Sequence, residues 1–190
     1  MKPTMTHNEI KTLRHYIDRC KYYLEFGSGE STGYAKKSNK IKNVVSVESS
    51  RAFCKKLDFG IWYINIGKTK KWGFPVDDSK KHLWPDYSMA PFASYESNYD
   101  LVLVDGRFRV ACTLQTILNT KRSCKIIIHD FWTRPEYSLL QQFLDRIDGI
   151  DSMGVFKAKE KLNVPLIQSI IQKYQYLPGD KEGWDYGRLL

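Results

Sequence analysis

The chain lacks the short signatures that most directly announce a chemistry. Its four cysteines, Cys20, Cys54, Cys112 and Cys124, form no Cys-x-x-Cys, and none stands at zinc-finger spacing from a histidine. That excludes a structural zinc site of this kind and leaves reduced, partly buried thiols. No glycine turn is followed by Gly-Lys-Ser/Thr, so there is no phosphate loop. No apolar run approaches the roughly 20 residues of a membrane span, and no apolar core follows the charge in Met1-Lys2-Pro3-Thr4-Met5. Neither a transmembrane segment nor a secretory signal is expected, and the default location is cytoplasmic.

What is present suffices for one domain spanning 1–190, since 42% of the 190 residues are hydrophobic. Lys and Arg number 30 against 21 Asp and Glu, a net charge of +9. Such an excess suits nucleic acid, acidic glycans, an anionic cofactor or a membrane surface. The lysines are scattered, with short clusters such as Lys36-Lys37, residues 68–71 and Lys80-Lys81, so a merely lysine-rich surface is the competing reading.

Thr6-His7-Asn8-Glu9 has the form of a capping box, with Ile10, Leu13, Ile17 and Cys20 following at helical spacing. Residues 1–21 thus read as a helix covering one edge of a site. Strands are expected at 22–26, 43–48, 61–66, 100–106, 125–130 and 153–159, and helices at 31–37, around Phe53 to Leu57, at 109–119, 135–147 and 165–174. Pro135 suits a first helical turn and Gly149 a helix stop. Strands that alternate with helices and read as continuous apolar runs predict an α/β fold, a mostly parallel twisted sheet with helices on both faces.

In such sheets ligands bind at the carboxyl ends of the strands, where strand order reverses. Glu25, Glu48, Asp105 and His129-Asp130 all stand at those ends. Residues 67–98 show no regular pattern, and a loop that long is often a lid or binding loop. It carries Trp72, Phe74, Trp84, Tyr87, Phe92 and Tyr95, aromatics that either stack on a ligand or anchor the loop.

The stretch Leu24-Glu25-Phe26-Gly27-Ser28-Gly29 turns a strand sharply into a helix. A dinucleotide fingerprint wants a third glycine where Thr32 stands, with Gly33 one residue late. What remains is a glycine turn preceded by an acid, with Glu48 ending the next strand where a carboxylate accepts hydrogen bonds from ribose hydroxyls. Glycine lets the backbone approach a ligand, the helix start offers free N–H groups, and Glu25 suits a cationic amino-acid group rather than a phosphate.

With these residues, 24–137 resembles a class I S-adenosylmethionine-dependent methyltransferase, and more narrowly a group of small, often uncharacterised methyltransferases of bacteria and large viruses. The segments that carry the resemblance are Leu24-Glu25-Phe26-Gly27-Ser28-Gly29, Ser46-Val47-Glu48, Trp72-Gly73-Phe74-Pro75-Val76-Asp77, Val104-Asp105-Gly106-Arg107-Phe108-Arg109-Val110-Ala111 and His129-Asp130-Phe131. The resemblance implies a Rossmann-like fold and S-adenosyl-L-methionine held by Glu25, Gly27, Ser28, Gly29, Ser31, Thr32, Glu48 and Asp105, with Asn65 or Gly67 near the adenine. For a viral member the location would be the host cytoplasm.

Asp105 and the pair His129-Asp130 end neighbouring strands and are expected to face the methyl group together as the catalytic set. His129, with an unperturbed pKa of about 6.5, reads as a mostly neutral general base oriented by a carboxylate. In a second mechanism, that of catechol-type O-methyltransferases, Asp105 and Asp130 hold Mg2+, although Phe131 stands where that family has Asn. Arg107 and Arg109 either bind an anionic substrate group or pair with nearby carboxylates. Trp72 and Arg134 complete the expected acceptor side. The Asp/Asn-Pro-Pro-Tyr/Phe motif of base-amino methyltransferases is absent after the fourth strand, which favours a hydroxyl. By analogy with relatives linked to polysaccharide modification, the expected acceptor is a sugar or oligosaccharide hydroxyl. A small-molecule O-methyltransferase and an RNA methyltransferase are the alternatives.

Overall fold

The computed structural model describes residues 5–57, 60–93 and 98–179. Tyr95 and the first four residues lie outside them. The chain runs α1 (His7–Ile17), β1 (Tyr22–Phe26), α2 (Glu30–Lys37), β2 (Asn43–Glu48), α3 (Arg51–Leu57), β3 (Trp62–Tyr63), α4 (Pro85–Met89), β4 (Leu101–Val104), α5 (Arg109–Asn119), β5 (Lys125–Ile128), β6 (Leu144–Ile150), β7 (Met153–Ala158) and α6 (Val164–Tyr174). One seven-stranded sheet has the order β3-β2-β1-β4-β5-β7-β6. Strands β1 to β5 pair in parallel, while β7 lies antiparallel between β5 and β6.

Successive residues of a strand point to opposite faces, and here they separate two cores. Leu24, Phe26, Val102, Val104, Ile126 and Ile128 pack with α5 and α6. Tyr23, Leu101, Leu103, Ile127 and Val155 pack with Leu13 and Ile17 of α1 and Ala35 of α2. Both faces are covered, so the inner strands are apolar throughout. The four cysteines are free, three of them buried. No helix among the described residues is long and apolar enough to cross a membrane.

From β1 the chain moves one way to β2 and β3 and the other way to β4 and β5, so the strand order reverses between β1 and β4. The two loops that leave these strands meet there. A Cβ on Gly27, whose φ is +91°, would lie 2.6 Å from the Cα of Gly106. Only glycine permits that approach in that conformation.

Three expected elements differ. The third strand is two residues rather than six, because it pairs only with Val47 and Glu48 at the end of β2. Beyond it the chain leaves the sheet, and the Ile66 carbonyl accepts from Trp84 Nε1 at 2.9 Å. The helix expected at 135–147 is a 3-10 segment, Pro135–Gln142, followed by strand β6. Hydrogen bonding to β7, a partner the local pattern does not reveal, overrides it, and Gly149 lies in the hairpin instead of ending a helix. The aromatic loop is also built rather than patternless. It contains α4, a bridge between Thr69 and Pro75, and short 3-10 turns. Phe74, Trp84 and Tyr87 are buried and anchor it, whereas Trp72 is exposed.

Candidate active site

A cavity of about 620 Å³ opens at the carboxyl ends of β1, β2, β4 and β5, within the range of small-molecule sites. Its walls are residues 27–31, 48–50 and 70–74, together with Phe53, Asp105, Gly106, Arg107, Arg109, His129, Asp130 and Arg134, with Met5, Leu13 and Tyr34 from α1, α2 and the segment before them. Two wall residues, Trp72 (φ 65°) and Asp130 (φ 60°), hold left-handed backbone, as does Phe108 (φ 54°) at the start of α5. Such conformations cost about 1–3 kcal/mol each and cluster where side chains must be aimed.

At one end stand the glycine turn and Glu48. Glu48 Oε1 accepts from the backbone N–H groups of Ser49 at 2.7 Å and Ser50 at 2.8 Å, while Oε2 accepts from Ser28 N at 3.3 Å. Burial raises its pKa, partly offset by these bonds. Ser28 Oγ and Ser46 Oγ are 2.7 Å apart beneath the turn. A Cβ on Gly29 would meet nothing nearer than Ser31 Oγ at 3.8 Å, so the backbone there is open to a ligand.

Glu25 and Thr32 do not reach the wall. Glu25 is fully buried below the turn, its carboxyl accepting from Ser31 Oγ, from Thr32 Oγ1 at 2.6 Å and from Ser46 Oγ at 3.0 Å. Thr32 Oγ1 also accepts from Gly29 N at 3.0 Å. Burial pushes the Glu25 pKa up to about 7 despite the three hydroxyls. These residues brace the turn from behind, and Glu25 is not placed to meet a cationic ligand group directly. Asn65 lies outside the cavity, in a separate depression with Tyr63, Leu83 and Met89, its Oδ1 accepting from Gly67 N at 3.0 Å. The shortness of β3 puts it there. The wall beside Glu48 comes instead from Ser49, Ser50, Phe53 and Gly73, of which sequence patterning marked Phe53 only as a helix residue.

At the other end a chain of alternating charges links α1 to the loop after β5. His129 Nδ1 is 3.0 Å from Asp105 Oδ1, and Nε2 is 3.4 Å from Glu9 Oε2. A neutral imidazole offers one donor and one acceptor, so two facing carboxylates favour the imidazolium. Burial lowers the His129 pKa, but the Asp105 hydrogen bond and the charges of Asp105 and Asp130 outweigh it and raise the value. His129 therefore has no free nitrogen with which to act as the neutral base the sequence suggested. Burial raises Asp105 and Asp130, yet the charges of Arg109 and His129 hold both below the usual carboxylate range.

Arg109 lies between the two aspartates, with Nη2 3.1 Å from Asp105 Oδ1 and Nη1 3.3 Å from Asp130 Oδ2. Arg134 Nη2 sits 2.9 Å from the same Asp130 oxygen. Arg109 thus takes the carboxylate-pairing role. Arg107 is buried against Phe74, its guanidinium carbon 4.0 Å from the ring centre, and its Nε has no hydrogen-bond partner among the described residues. Burial, with Arg109 nearby, lowers its pKa to about 10.

Asp105, His129 and Asp130 present ligand atoms within 4.8 Å of one another. As arranged they do not fit Mg2+. Both carboxylates are engaged by a guanidinium, and the histidine between them is drawn into its protonated form.

Glu9 is the residue that sequence reasoning missed. It closes the capping box of α1 by accepting from Thr6 N at 2.8 Å, and its other oxygen accepts from Ser152 N at 3.0 Å and Ser152 Oγ at 2.6 Å. The capping motif was visible, but its second task, 120 positions away at His129, leaves no local trace.

The strand order, with its single antiparallel strand and its cavity at the reversal point, is that of the α/β class I methyltransferase fold. A methyltransferase-like protein from Silicibacter pomeroyi DSS-3 superposes with a TM-score of 0.86 at 29% identity, over 93% of this chain and 98% of that one. A cofactor-bound Rv0187 from MTB gives a TM-score of 0.56 at 14% identity over 85% and 84% of the two chains. A putative caffeoyl-CoA O-methyltransferase from Staphylococcus aureus gives 0.52 at 13% over 83% and 86%. The last two are alike in fold alone. No protein-family model matches the chain, and no curated protein matches it.

Proposed function

We propose that the protein is an S-adenosylmethionine-dependent O-methyltransferase whose acceptor is a sugar hydroxyl in a glycan. The observation that carries this reading is the continuity of one cavity from the open glycine turn and Glu48 to the Asp105 carboxylate.

The residues at the first end fit the cofactor. Gly27, Ser28 and Gly29 line the cavity, with open space over Gly29, Glu48 offers a carboxylate to ribose hydroxyls, and Phe53 offers an apolar wall. When bound, the cofactor supplies a methyl group carried on a sulfonium. At the other end Asp105 Oδ1 is fixed by His129 and Arg109, while Oδ2 has no hydrogen bond among the described residues. Oδ2 is the atom that would orient the acceptor hydroxyl and take up its proton. His129 and Arg109 hold that carboxylate in place and balance its charge. Lys70, Lys71 and Arg107 on the walls, with exposed Trp72 at the rim, favour a sugar that carries negative charge.

Calorimetric titration with S-adenosylhomocysteine tests the first half, and no binding at millimolar ligand would refute it. Labelled cofactor with a panel of oligosaccharides, phenols and RNA tests the acceptor; label on RNA or phenols alone would overturn the sugar assignment. Asp105→Asn should lower turnover at least 100-fold and leave S-adenosylhomocysteine affinity within about twofold. A collapse of cofactor affinity instead would show that Asp105 serves the cofactor.

A further inference from the structure

The pair of carboxylates at the carboxyl ends of β4 and β5 surrounds an arginine, and the arginine's hydrogen bonds show how completely it is built in. Arg109 is 6% exposed. Its Nε donates to Gly106 O at 3.0 Å. Nη1 donates to His129 O at 2.6 Å and to Asp130 Oδ2 at 3.3 Å. Nη2 donates to Asp105 O at 3.3 Å and faces Asp105 Oδ1 at 3.1 Å. All three nitrogens of the fork are engaged. A guanidinium remains charged at any pH the protein meets, so this charge does not come and go.

The charges around it leave little for an ion to do. Asp105 and Asp130 bring two negative charges, and Arg109 and Arg134 answer them with two positive ones. Glu9 answers the far side of His129. A divalent ion bound to the aspartates would have to displace the Arg109 nitrogens from Asp105 Oδ1 and Asp130 Oδ2. It would also strand a buried guanidinium without its acceptors. Yet the ligand atoms of Asp105, His129 and Asp130 lie within 4.8 Å of one another, the grouping a metal would use if the arginine were gone.

We propose that Arg109 is the resident cation of this centre, a side chain that permanently bridges Asp105 and Asp130 in the place a divalent ion would take. It draws the carboxylates together, fixes the loops after β4 and β5 through their carbonyls, and keeps exchangeable metal out. Arg109 is thereby a positioning residue that acts through Asp105. The bridge is independent of the reaction. If methyl transfer is the reaction, a consequence resting on that reading is that the acceptor needs one hydroxyl at Asp105 rather than two adjacent hydroxyls that chelate an ion.

Mn2+ binding, read from the loss of the free-ion paramagnetic resonance signal, tests the bridge without requiring turnover. Wild type and Asp130→Asn should bind Mn2+ equally within about twofold, since the aspartates are closed to it. Arg109→Ala, and Arg109→Met that keeps much of the stem volume, should gain at least tenfold in Mn2+ affinity, with circular dichroism melts confirming that each is folded. Adding Asp130→Asn to either variant should abolish the gain. Wild type binding Mn2+ tenfold more tightly than Asp130→Asn would overturn the proposal. So would a folded Arg109 variant that shows no gain. If neither Arg109 variant folds, the comparison of wild type with Asp130→Asn decides alone.

Discussion

Glu25→Gln offers the perturbation whose sign the structure fixes best. The Glu25 carboxyl is fully buried beneath the glycine turn and is held by three hydroxyls, with no cation beside it among the described residues. Burial, assisted by the negative charge of Asp105, lifts its pKa from an ordinary 4.5 to about 7. A folded value above the unfolded one means that stability is fully present below pH 4.5 and falls as pH rises from there to about 7. At about 1.4 kcal/mol per pH unit, the loss over that window is about 3 kcal/mol. Glutamine does not titrate, so the variant escapes this loss. It also gives up one acceptor oxygen, which costs it about 1 kcal/mol at all pH values. Urea denaturation at half-unit steps from pH 4.5 to 8 should therefore show curves that cross: the variant slightly less stable at the acid end and about 2 kcal/mol more stable at pH 8. Other titrating groups cancel in the difference. Parallel curves would refute the reasoning and would mean that the hydroxyls hold an ionised Glu25.

Two further outcomes follow from the same geometry. Glu9→Gln removes the carboxylate facing His129 Nε2 and should lower the raised His129 pKa, seen as an earlier shift of its imidazole 15N resonances during a pH titration. The raised value gives stability that is full below about pH 6.5 and is lost as pH rises through the folded value, so the variant should lose it at lower pH; an unmoved titration would show that Glu9 is too weakly coupled to matter. Gly27→Ala forces a side chain into φ +91° and to within 2.6 Å of the Gly106 backbone. It should destabilise the protein by about 3 kcal/mol or more in a thermal melt, and a change under 1 kcal/mol would mean that the two loops part readily.

Much of the fold was legible because the inner strands carry their own signal. Residues 22–26, 43–48, 101–104 and 125–128 are apolar runs closed by an acid, a histidine or a glycine, and they lie where the periodicity puts them. The misreadings fall on the sheet's edges. β3 and β6 are exposed edge strands, β6 with Asp145, Arg146, Ile147 and Asp148 all open to solvent. A strand buried on neither face has little reason to show a two-residue period, so pairing with a neighbour distant in sequence decides it. The aromatic loop failed for a related reason. Trp84 and Tyr87 bury themselves in the body from the start of a five-residue helix and from within it, and five residues are too few to display a helical stripe.

The candidate site was legible in part of its membership, with Glu25, Thr32 and Asn65 lying off the cavity wall, and not in the contacts its members make. A residue at the end of a β-strand faces the cavity by topology, and that alone located Glu48, Asp105, His129 and Asp130. What each does depends on the charge beside it, and those neighbours come from four separate elements. Glu9 arrives on α1, Arg109 on α5, and Asp105 and Asp130 after β4 and β5. Arg109 lies four residues from Asp105, a spacing that suits an ion pair on a helix. But α5 begins only at Arg109 itself, and the pair forms because Phe108 turns left-handed and aims the guanidinium back over Gly106. The histidine is the sharper case. Taken alone, a strand-end histidine beside an aspartate reads as a base. Held between Asp105 and Glu9, with Arg109 bridging the aspartates, it has both ring nitrogens facing carboxylates, and under the proposed methyl transfer the proton-accepting role falls to Asp105 Oδ2.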